Sequence, residues 1–208
     1  LQLLTKQIHE NVLKEGDELV VTGPPEMLKD ITGKTIPTGT EPEGAVIQDA
    51  IDQCPDCAYF LTLSSDVLLT GETVDKFRAA LAGEDVVLAY SDYTEDRDGE
   101  TTDVKLHDHE GCPHERFEFG PIIGYKLSAV KQLGGFRRDL NYAWEYDMHL
   151  KLMENGQFAH LHEFTYTRFI PVTIDEKGKK VFSPGMGPLG GFSYVFYPED
   201  LEKEVTSV

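Results

Sequence analysis

The chain has 208 residues and a formal net charge of −18, because 37 acidic side chains outnumber 19 basic ones. This length predicts one domain, or one domain and a tail, and a hydrophobic content of 40% is too high for a disordered chain. The negative charge argues against a nucleic-acid partner, since phosphates would be repelled, although a nucleotide can be held through a bound cation. No apolar run approaches the roughly 18–20 residues that span a bilayer, and no basic stretch followed by an apolar one indicates a signal peptide. Three cysteines without framework spacing favour a reducing compartment, so we expect a protein of the cytoplasm or of the inner membrane face.

The first half of the chain alternates predicted helices with predicted strands. The continuous apolar run Ala58–Leu63 is typical of a strand that is covered on both faces. The alternation implies right-handed crossovers and a largely parallel sheet, which is the α/β class. In chain order we predict a helix over Leu1–Lys14, a strand over Glu18–Val21, a loop with one short strand near Ile36, a helix over Glu43–Gln53, a strand over Ala58–Leu63, a helix capped by Thr70 and a strand over Asp85–Tyr90.

The second half contains shorter predicted elements and more turns. Its last part, residues 186–191, is rich in glycine and is followed by an aromatic tail. We therefore divide the chain into a domain of residues 1–170 and a C-terminal hairpin and tail of residues 171–208. The predicted elements are a hairpin within Glu95–Thr102, a strand over Pro121–Tyr125, a helix over Ser128–Leu133 ended by Gly134 and Gly135, a helix over Trp144–Glu154, one or two strands within Phe158–Phe169 and a hairpin turn at Gly178-Lys179.

Two predicted strands end in polar residues at the same edge of the sheet. One ends in Ser64-Ser65-Asp66 and the other in Ser91-Asp92. Ligands of open parallel sheets bind beyond the carboxyl ends of the strands, and carboxylate oxygens are the ligands that Mg²⁺ prefers. Asp66 and Asp92 are therefore candidates for holding a cation and a diphosphate, although aspartates at such positions often only form turns.

A further acidic cluster, Glu145 and Asp147, begins the helix predicted to start at Trp144. Acids in a first helical turn are stabilised by the helix dipole without any catalytic role. In the functional interpretation, one of the two is a general base that deprotonates an attacking hydroxyl.

The cysteines and histidines allow a structural zinc site. Cys54 and Cys57 have the spacing of a zinc half-site, and a second group of candidate zinc ligands follows about fifty residues later. However, Cys57 runs directly into an apolar strand and is expected to pack as a small hydrophobic residue. The second group consists of His107, His109, Cys112 and His114.

The order of these segments resembles the family-2 glycosyltransferases of the GT-A fold over roughly residues 1–170. No single segment is diagnostic, but the ordered set is fairly specific. The segments are Glu18-Leu-Val-Val-Thr-Gly-Pro, Tyr59-Phe-Leu-Thr-Leu-Ser-Ser-Asp66, Tyr90-Ser91-Asp92-Tyr93, Phe117-Glu-Phe-Gly120-Pro through Phe136-Arg, Tyr142-Ala-Trp-Glu-Tyr-Asp147-Met-His-Leu-Lys-Leu and His162-Glu-Phe-Thr-Tyr-Thr-Arg168.

Three departures from the family pattern stand out. The apolar strand with which family members usually begin is not seen, so we expect a GT-A, Rossmann-like three-layer sandwich with a mostly parallel mixed sheet that lacks its first strand. The second strand ends in Thr22-Gly23, where an acid would normally contact the nucleoside. The metal motif, usually Asp-x-Asp, retains only Asp66.

The resemblance implies transfer of a sugar, with inversion, from a nucleotide-diphosphate donor to a hydroxyl acceptor. A divalent cation, Mg²⁺ or Mn²⁺, would bind at Asp66, and the acceptor would be a glycan or a lipid-linked molecule in polysaccharide or glycoconjugate assembly. Asp147 or Glu145 would be catalytic, and the alignment of the segment does not decide between them. The other implied residues are Thr22, Gly23, Ser64, Ser65, Asp92 and Arg168 for the donor, and Gly120 and Trp144 for the acceptor.

Two other functions are compatible with the sequence. A catalytically impaired GT-A domain would bind a sugar nucleotide or a partner without turnover, as the reduced metal motif allows. A zinc-stabilised interaction module would be built on the cysteines and histidines. The sequence predicts neither a transmembrane segment nor an oligomeric state.

Overall fold

The computed structural model describes residues 2–31, 33–109, 119–170, 172–174, 176 and 180–182. The predicted turn at Gly178-Lys179, the glycine-rich stretch and the aromatic tail lie outside the described residues. The helices are α1 Gln2–Asn11, α2 Pro25–Leu28, α3 Glu43–Asp52, α4 Gly71–Leu81, α5 Leu127–Gln132 and α6 Trp144–Met153. The strands are β1 Val20–Gly23, β2 Lys34–Pro37, β3 Tyr59–Leu63, β4 Val67–Leu68, β5 Val86–Ser91, β6 Tyr93–Arg97, β7 Glu100–Val104, β8 Ile122–Lys126, β9 Gln157–Leu161, β10 Thr167–Phe169, β11 Val172–Ile174 and β12 Lys180–Phe182.

A four-stranded mixed sheet with the order β3-β8-β5-β9 forms the centre of the fold. β8 is antiparallel to both of its neighbours, whereas β5 and β9 are parallel. Three of the four strands therefore run in one direction, which confirms the predicted α/β sheet.

Helices cover both faces of this sheet, and side-chain alternation along the strands distributes the core between the two faces. On one face, Leu88 and Tyr90 of β5 pack in a cluster with Met148 and Leu152 of α6. On the other face, Ala89 packs in a second cluster. That cluster is completed by Ile8 of α1, by Val12 just after this helix and by Phe77 and Leu81 of α4. The result is the expected three-layer sandwich.

The remaining strands form smaller sheets. β1 and β2 are parallel, β11 and β12 are antiparallel, and a second four-stranded sheet has the order β4-β10-β6-β7. The predicted hairpin is present as β6 and β7, with Asp98 and Gly99 at positive φ in its turn. Strand β4 and helix α2, which the sequence analysis did not predict, are only two and four residues long.

A groove of about 1830 Å³ lies between β1 and β3. Both strands line it, and among the described residues no pairing joins them. Their amino ends lie at the same end of the groove, because the Cys54 thiol donates to Glu18 Oε2 over 2.8 Å and the Lys34 ammonium donates to the Gln53 carbonyl over 2.8 Å. β3 is only half-buried because this groove leaves one of its edges open.

Among the described helices, none has both the length and the apolar character needed to cross a membrane.

Candidate functional site

The end of the groove at the carboxyl ends of the strands gathers six of the residues that the sequence singled out. Thr22 and Gly23 end β1, and Ser64 and Ser65 follow β3. Trp144 and Glu145, which begin helix α6, line the same groove. Because ligands of α/β sheets bind beyond the carboxyl ends of the strands, this end of the groove is the candidate site.

Glu145 is the most perturbed acid of the groove. It is 1% exposed, and its Oε1 has no hydrogen-bond partner within the described part of the chain. Burial and, to a smaller extent, the nearby charge of Glu43 together raise the pKa of this carboxyl to about 8. A carboxyl group with a pKa near neutrality, in a groove, has the properties of a general acid or base.

The surroundings of Glu145 are apolar and uncharged on the core side. Tyr125 and His149 pack together behind it, with the Tyr125 hydroxyl 2.9 Å from His149 Nε2. Burial lowers the pKa of His149 to about 3, so the ring is neutral at pH 7 and shares one hydrogen bond with the tyrosine hydroxyl. Since the described contacts bring no cation to Glu145, its negative form is unfavourable until a ligand enters.

Trp144 is fixed by contacts at both ends of its indole. Its Nε1 donates to Glu43 Oε2 over 3.1 Å, and its ring meets Phe136 edge-on with centroids 5.4 Å apart. Only 5% of the residue is exposed. Trp144 therefore forms part of the groove wall and holds Glu43 beside Glu145. The sequence analysis did not single out Glu43 as a site residue.

Asp147, the alternative catalytic acid, has a different environment. It does not line the groove, and its Oδ2 accepts from the Lys151 ammonium over 2.5 Å. This pair joins positions i and i+4 of α6, which are neighbours on a helix surface. Asp147 thus has a structural partner, whereas one carboxyl oxygen of Glu145 has none among the residues that the structure describes.

Asp66 is paired with Arg168. The Arg168 Nε donates to Asp66 Oδ2 over 3.0 Å, and the Ser64 hydroxyl donates to the other carboxyl oxygen. The Arg168 side chain is 3% exposed, and its Nη2 has no hydrogen-bond partner within the described residues. Neither Asp66 nor Arg168 lines the groove.

Asp92 and Gly120 also lie away from the groove lining. Asp92 is buried, and its Oδ1 accepts from the Leu106 amide over 2.9 Å. Gly120 has φ +74, and a Cβ there would lie 2.6 Å from the Tyr166 hydroxyl. Glycine at position 120 is therefore required by backbone geometry and by packing.

The residues around Asp66 do not fit a divalent cation. Its two carboxyl oxygens already accept from the buried Arg168 guanidinium and from the Ser64 hydroxyl, so an ion would have to displace one of these donors. The predicted metal role of Asp66 stays a prediction. Elsewhere in the described chain, two groups place potential metal ligands within 4.8 Å of one another: Glu18, Cys54 and Cys57, and Asp92, His160 and His162. The predicted joint cysteine–histidine zinc site is not formed by the described residues, since Cys54 and Cys57 cluster with Glu18 and with no histidine, while Cys112 and His114 lie outside the described residues.

The chain is similar to a known protein in its fold and not in its sequence. No protein-family model and no curated protein matches the sequence. The structure is similar to that of the mannosyltransferase PcManGT from Pyrobaculum calidifontis in complex with GDP-Man and Mn²⁺, with a TM-score of 0.55 and 14% sequence identity. The similarity covers 82% of this chain and 54% of that protein, so the chain spans about half of its length. At this identity the comparison establishes a glycosyltransferase-like α/β fold and no more.

Proposed function

We propose that the chain is a glycosyltransferase domain, similar to family 2, that transfers a sugar from a nucleotide-diphosphate donor to a hydroxyl acceptor. The observation that carries the proposal is Glu145. It is a buried carboxyl with a pKa of about 8 and with one oxygen that has no hydrogen-bond partner among the described residues, and it lines the same groove as the residues that end β1 and follow β3. A fold shared with a mannosyltransferase that binds GDP-Man supports the same class of donor here.

In this proposal Glu145 accepts the proton of the acceptor hydroxyl as that oxygen attacks the anomeric carbon. Direct attack by the acceptor, without a covalent sugar–enzyme intermediate, inverts the anomeric configuration. The neighbouring charge of Glu43 and the apolar surroundings make ionised Glu145 a stronger base than a solvated carboxylate. The helix dipole at the start of α6 limits the cost of that ionisation.

The donor would lie along the ends of β1 and β3. The backbone at Thr22 and Gly23 and the hydroxyls of Ser64 and Ser65 offer hydrogen-bonding groups there. Asp66 is the one acid of the predicted metal motif, so binding of Mg²⁺ or Mn²⁺ with the donor would require it to release Arg168. Such an ion would stabilise charge on the leaving diphosphate. The acceptor would be a glycan or a lipid-linked hydroxyl in polysaccharide or glycoconjugate assembly.

The test is nucleoside diphosphate release from a panel of UDP-, GDP-, CDP- and TDP-sugars, in Mn²⁺ and in chelator. Glu145→Gln should lower the rate about 10²–10⁴-fold, because the amide cannot take up a proton. Glu154→Gln, at the exposed opposite end of the same helix, is the matched control and should leave the rate unchanged. Loss of activity in Asp147→Asn with activity retained in Glu145→Gln would refute the assignment of the base.

A second function, sugar-nucleotide binding without turnover, is favoured by the Asp66–Arg168 pair, which neutralises the one acid of the metal motif. Thermal unfolding distinguishes the two proposals. A nucleotide at a hundred times its dissociation constant adds about 2.7 kcal/mol to the free energy of unfolding. Stabilisation by one nucleoside diphosphate without release from its sugar derivative would support the binding module. Absence of both stabilisation and turnover across the panel would refute both functions.

A further inference from the structure

A cluster of two histidines and two aspartates lies outside the groove, at the carboxyl ends of β5 and β9. His160 and His162 are two residues apart at the end of β9, so both project to one side of the strand, and their ring centroids are 4.0 Å apart. Asp108 lies against both rings, with its Oδ1 2.6 Å from His160 Nδ1 and 3.3 Å from His162 Nε2. Asp92, from the end of β5, completes the cluster.

The two ring nitrogens of His160 both face carboxylate oxygens. Nε2 lies 2.8 Å from Asp92 Oδ1 and Nδ1 lies 2.6 Å from Asp108 Oδ1. A neutral imidazole carries one N–H, so it can donate to only one of the two carboxylates, and its other nitrogen presents a lone pair to the second. A second proton, or a metal ion in its place, between that nitrogen and the second carboxylate removes the repulsion between the two lone pairs.

Hydrogen bonds from the core hold the cluster in place before any ligand binds. The Tyr90 hydroxyl donates to the His107 carbonyl over 2.9 Å and accepts from the His109 amide over 3.2 Å, so both neighbours of Asp108 are tied to one side chain. The Tyr90 ring also stacks on His160, with centroids 4.5 Å apart and planes 13° from parallel. The Asp108 backbone and the His160 ring are thus both oriented by Tyr90.

We propose that His160, His162 and Asp108 form a binding site for a transition-metal ion of the Zn²⁺ type, with Asp92 as the residue that orients His160. A buried carboxylate that accepts a hydrogen bond from the far nitrogen of a metal-binding histidine is a frequent feature of zinc sites. Here the side chains of His160 and Asp92 are 4% and 6% exposed. His162 and Asp108 are 65% and 53% exposed, which gives an ion access from solvent and leaves a fourth position for water.

The ligand types favour zinc over magnesium or calcium. Two imidazole nitrogens with one carboxylate are typical of Zn²⁺, whereas Mg²⁺ and Ca²⁺ select oxygen ligands. Ligand atoms about 2.0 Å from a tetrahedral ion are about 3.3 Å apart, which matches the separation of Asp108 and His162. The shorter contact between Asp108 and His160 needs an opening of roughly 0.7 Å, which the exposed Asp108 side chain provides by rotation.

The second cluster, Glu18 with Cys54 and Cys57, is a weaker candidate. The Lys34 ammonium already occupies it, 2.7 Å from Glu18 Oε2 and 3.9 Å from Cys54 Sγ. Burial and the hydrogen bond to Glu18 raise the pKa of the Cys54 thiol to about 12, so the thiolate that zinc requires is disfavoured.

Zinc binding is measured by equilibrium dialysis and elemental analysis of the full chain in which Cys54, Cys57 and Cys112 are replaced by serine, so that thiols contribute nothing. We expect one Zn²⁺ per chain and no binding of Mg²⁺. His162→Ala and Asp108→Asn should each weaken zinc binding at least tenfold, while His9→Ala, a histidine of helix α1, should not. Asp92→Asn should weaken zinc binding by about 10–100-fold, although the proposed ligands His160, His162 and Asp108 are all retained.

Thermal unfolding with Zn²⁺ gives an independent reading, since the ion should stabilise the parent protein and not the His162→Ala variant. Equal zinc affinity in the parent and in the His162→Ala and Asp108→Asn variants would overturn the proposal, as would failure of the parent to bind zinc. No sugar nucleotide enters either measurement, so the result is independent of the proposed transferase activity.

Discussion

Replacement of Glu145 by glutamine should make the protein more stable, and the gain should grow with pH. An unfolded glutamic acid ionises near pH 4.5, whereas folded Glu145 ionises near pH 8. Between these values the folded chain holds a proton that the unfolded chain has lost. The free energy of unfolding therefore falls as pH rises from about 4.5 to about 8, and is constant above.

The size of the effect follows from the two pKa values. A difference of about 3.5 units, at 1.36 kcal/mol per unit, destabilises the protein by about 5 kcal/mol once Glu145 is ionised in the folded state. The same relation gives about 1 kcal/mol at pH 5 and about 3 kcal/mol at pH 7. Glutamine has no charge to bury, so Glu145→Gln should be more stable than the parent by these amounts.

Urea unfolding of both proteins at pH 5, 7 and 9 measures the difference. Glu154→Gln removes an exposed carboxyl from the other end of α6, and its stability relative to the parent should not change with pH. A stability difference between Glu145→Gln and the parent that varies by less than about 1 kcal/mol from pH 5 to pH 9 would refute the unfavourable burial of Glu145. Gain of stability with loss of transfer in one variant is the pattern expected of an active-site residue.

Three other predictions can be checked with the same protein. The rate of sugar transfer at low substrate concentration should rise with pH towards a plateau above about 8, because the base must be ionised; a pH–rate profile that is flat between pH 6 and 9 would contradict this. Asp66→Asn should cost about 3 kcal/mol in urea unfolding, since it leaves the buried Arg168 guanidinium with only the looser Glu95 contact at 4.0 Å among its described carboxylate partners, and Asp66→Asn combined with Arg168→Met should recover most of that loss. Gly124→Ala should lower the free energy of unfolding by about 1–3 kcal/mol, because a Cβ there would lie 2.9–3.0 Å from Phe77, Leu61 and Leu81; an unchanged urea midpoint would show that this core can adjust.

Local patterns predicted most of the elements but not how the strands associate. Thr70 is the N-cap that the sequence indicated, with its hydroxyl accepting from the Thr73 amide over 3.2 Å. The direction of β8 could not be predicted, because its antiparallel position between β3 and β5 depends on distant pairing, as between Leu61 and Gly124, which are 63 residues apart. Hydrophobic periodicity reports which face of a strand is buried and not which strand lies beside it.

The candidate site shows the same division between local and distant information. Lys151, four residues after Asp147, is a signal in the sequence that Asp147 has a partner on its own helix. The partner of Asp66 is 102 residues away in Arg168, and the cluster of Asp92 with His160 spans 68 residues. Contacts over such separations arise from the fold, so no spacing rule could have predicted them.

The groove between β1 and β3 has a consequence for the behaviour of the protein in concentrated solution. In the described part of the chain, Tyr59–Leu63 pairs with β8 on one side only, and its other edge offers backbone donors and acceptors to an incoming strand. Such an edge is a template for pairing between copies of a chain. The net charge of −18 opposes that association by mutual repulsion, which salt screens.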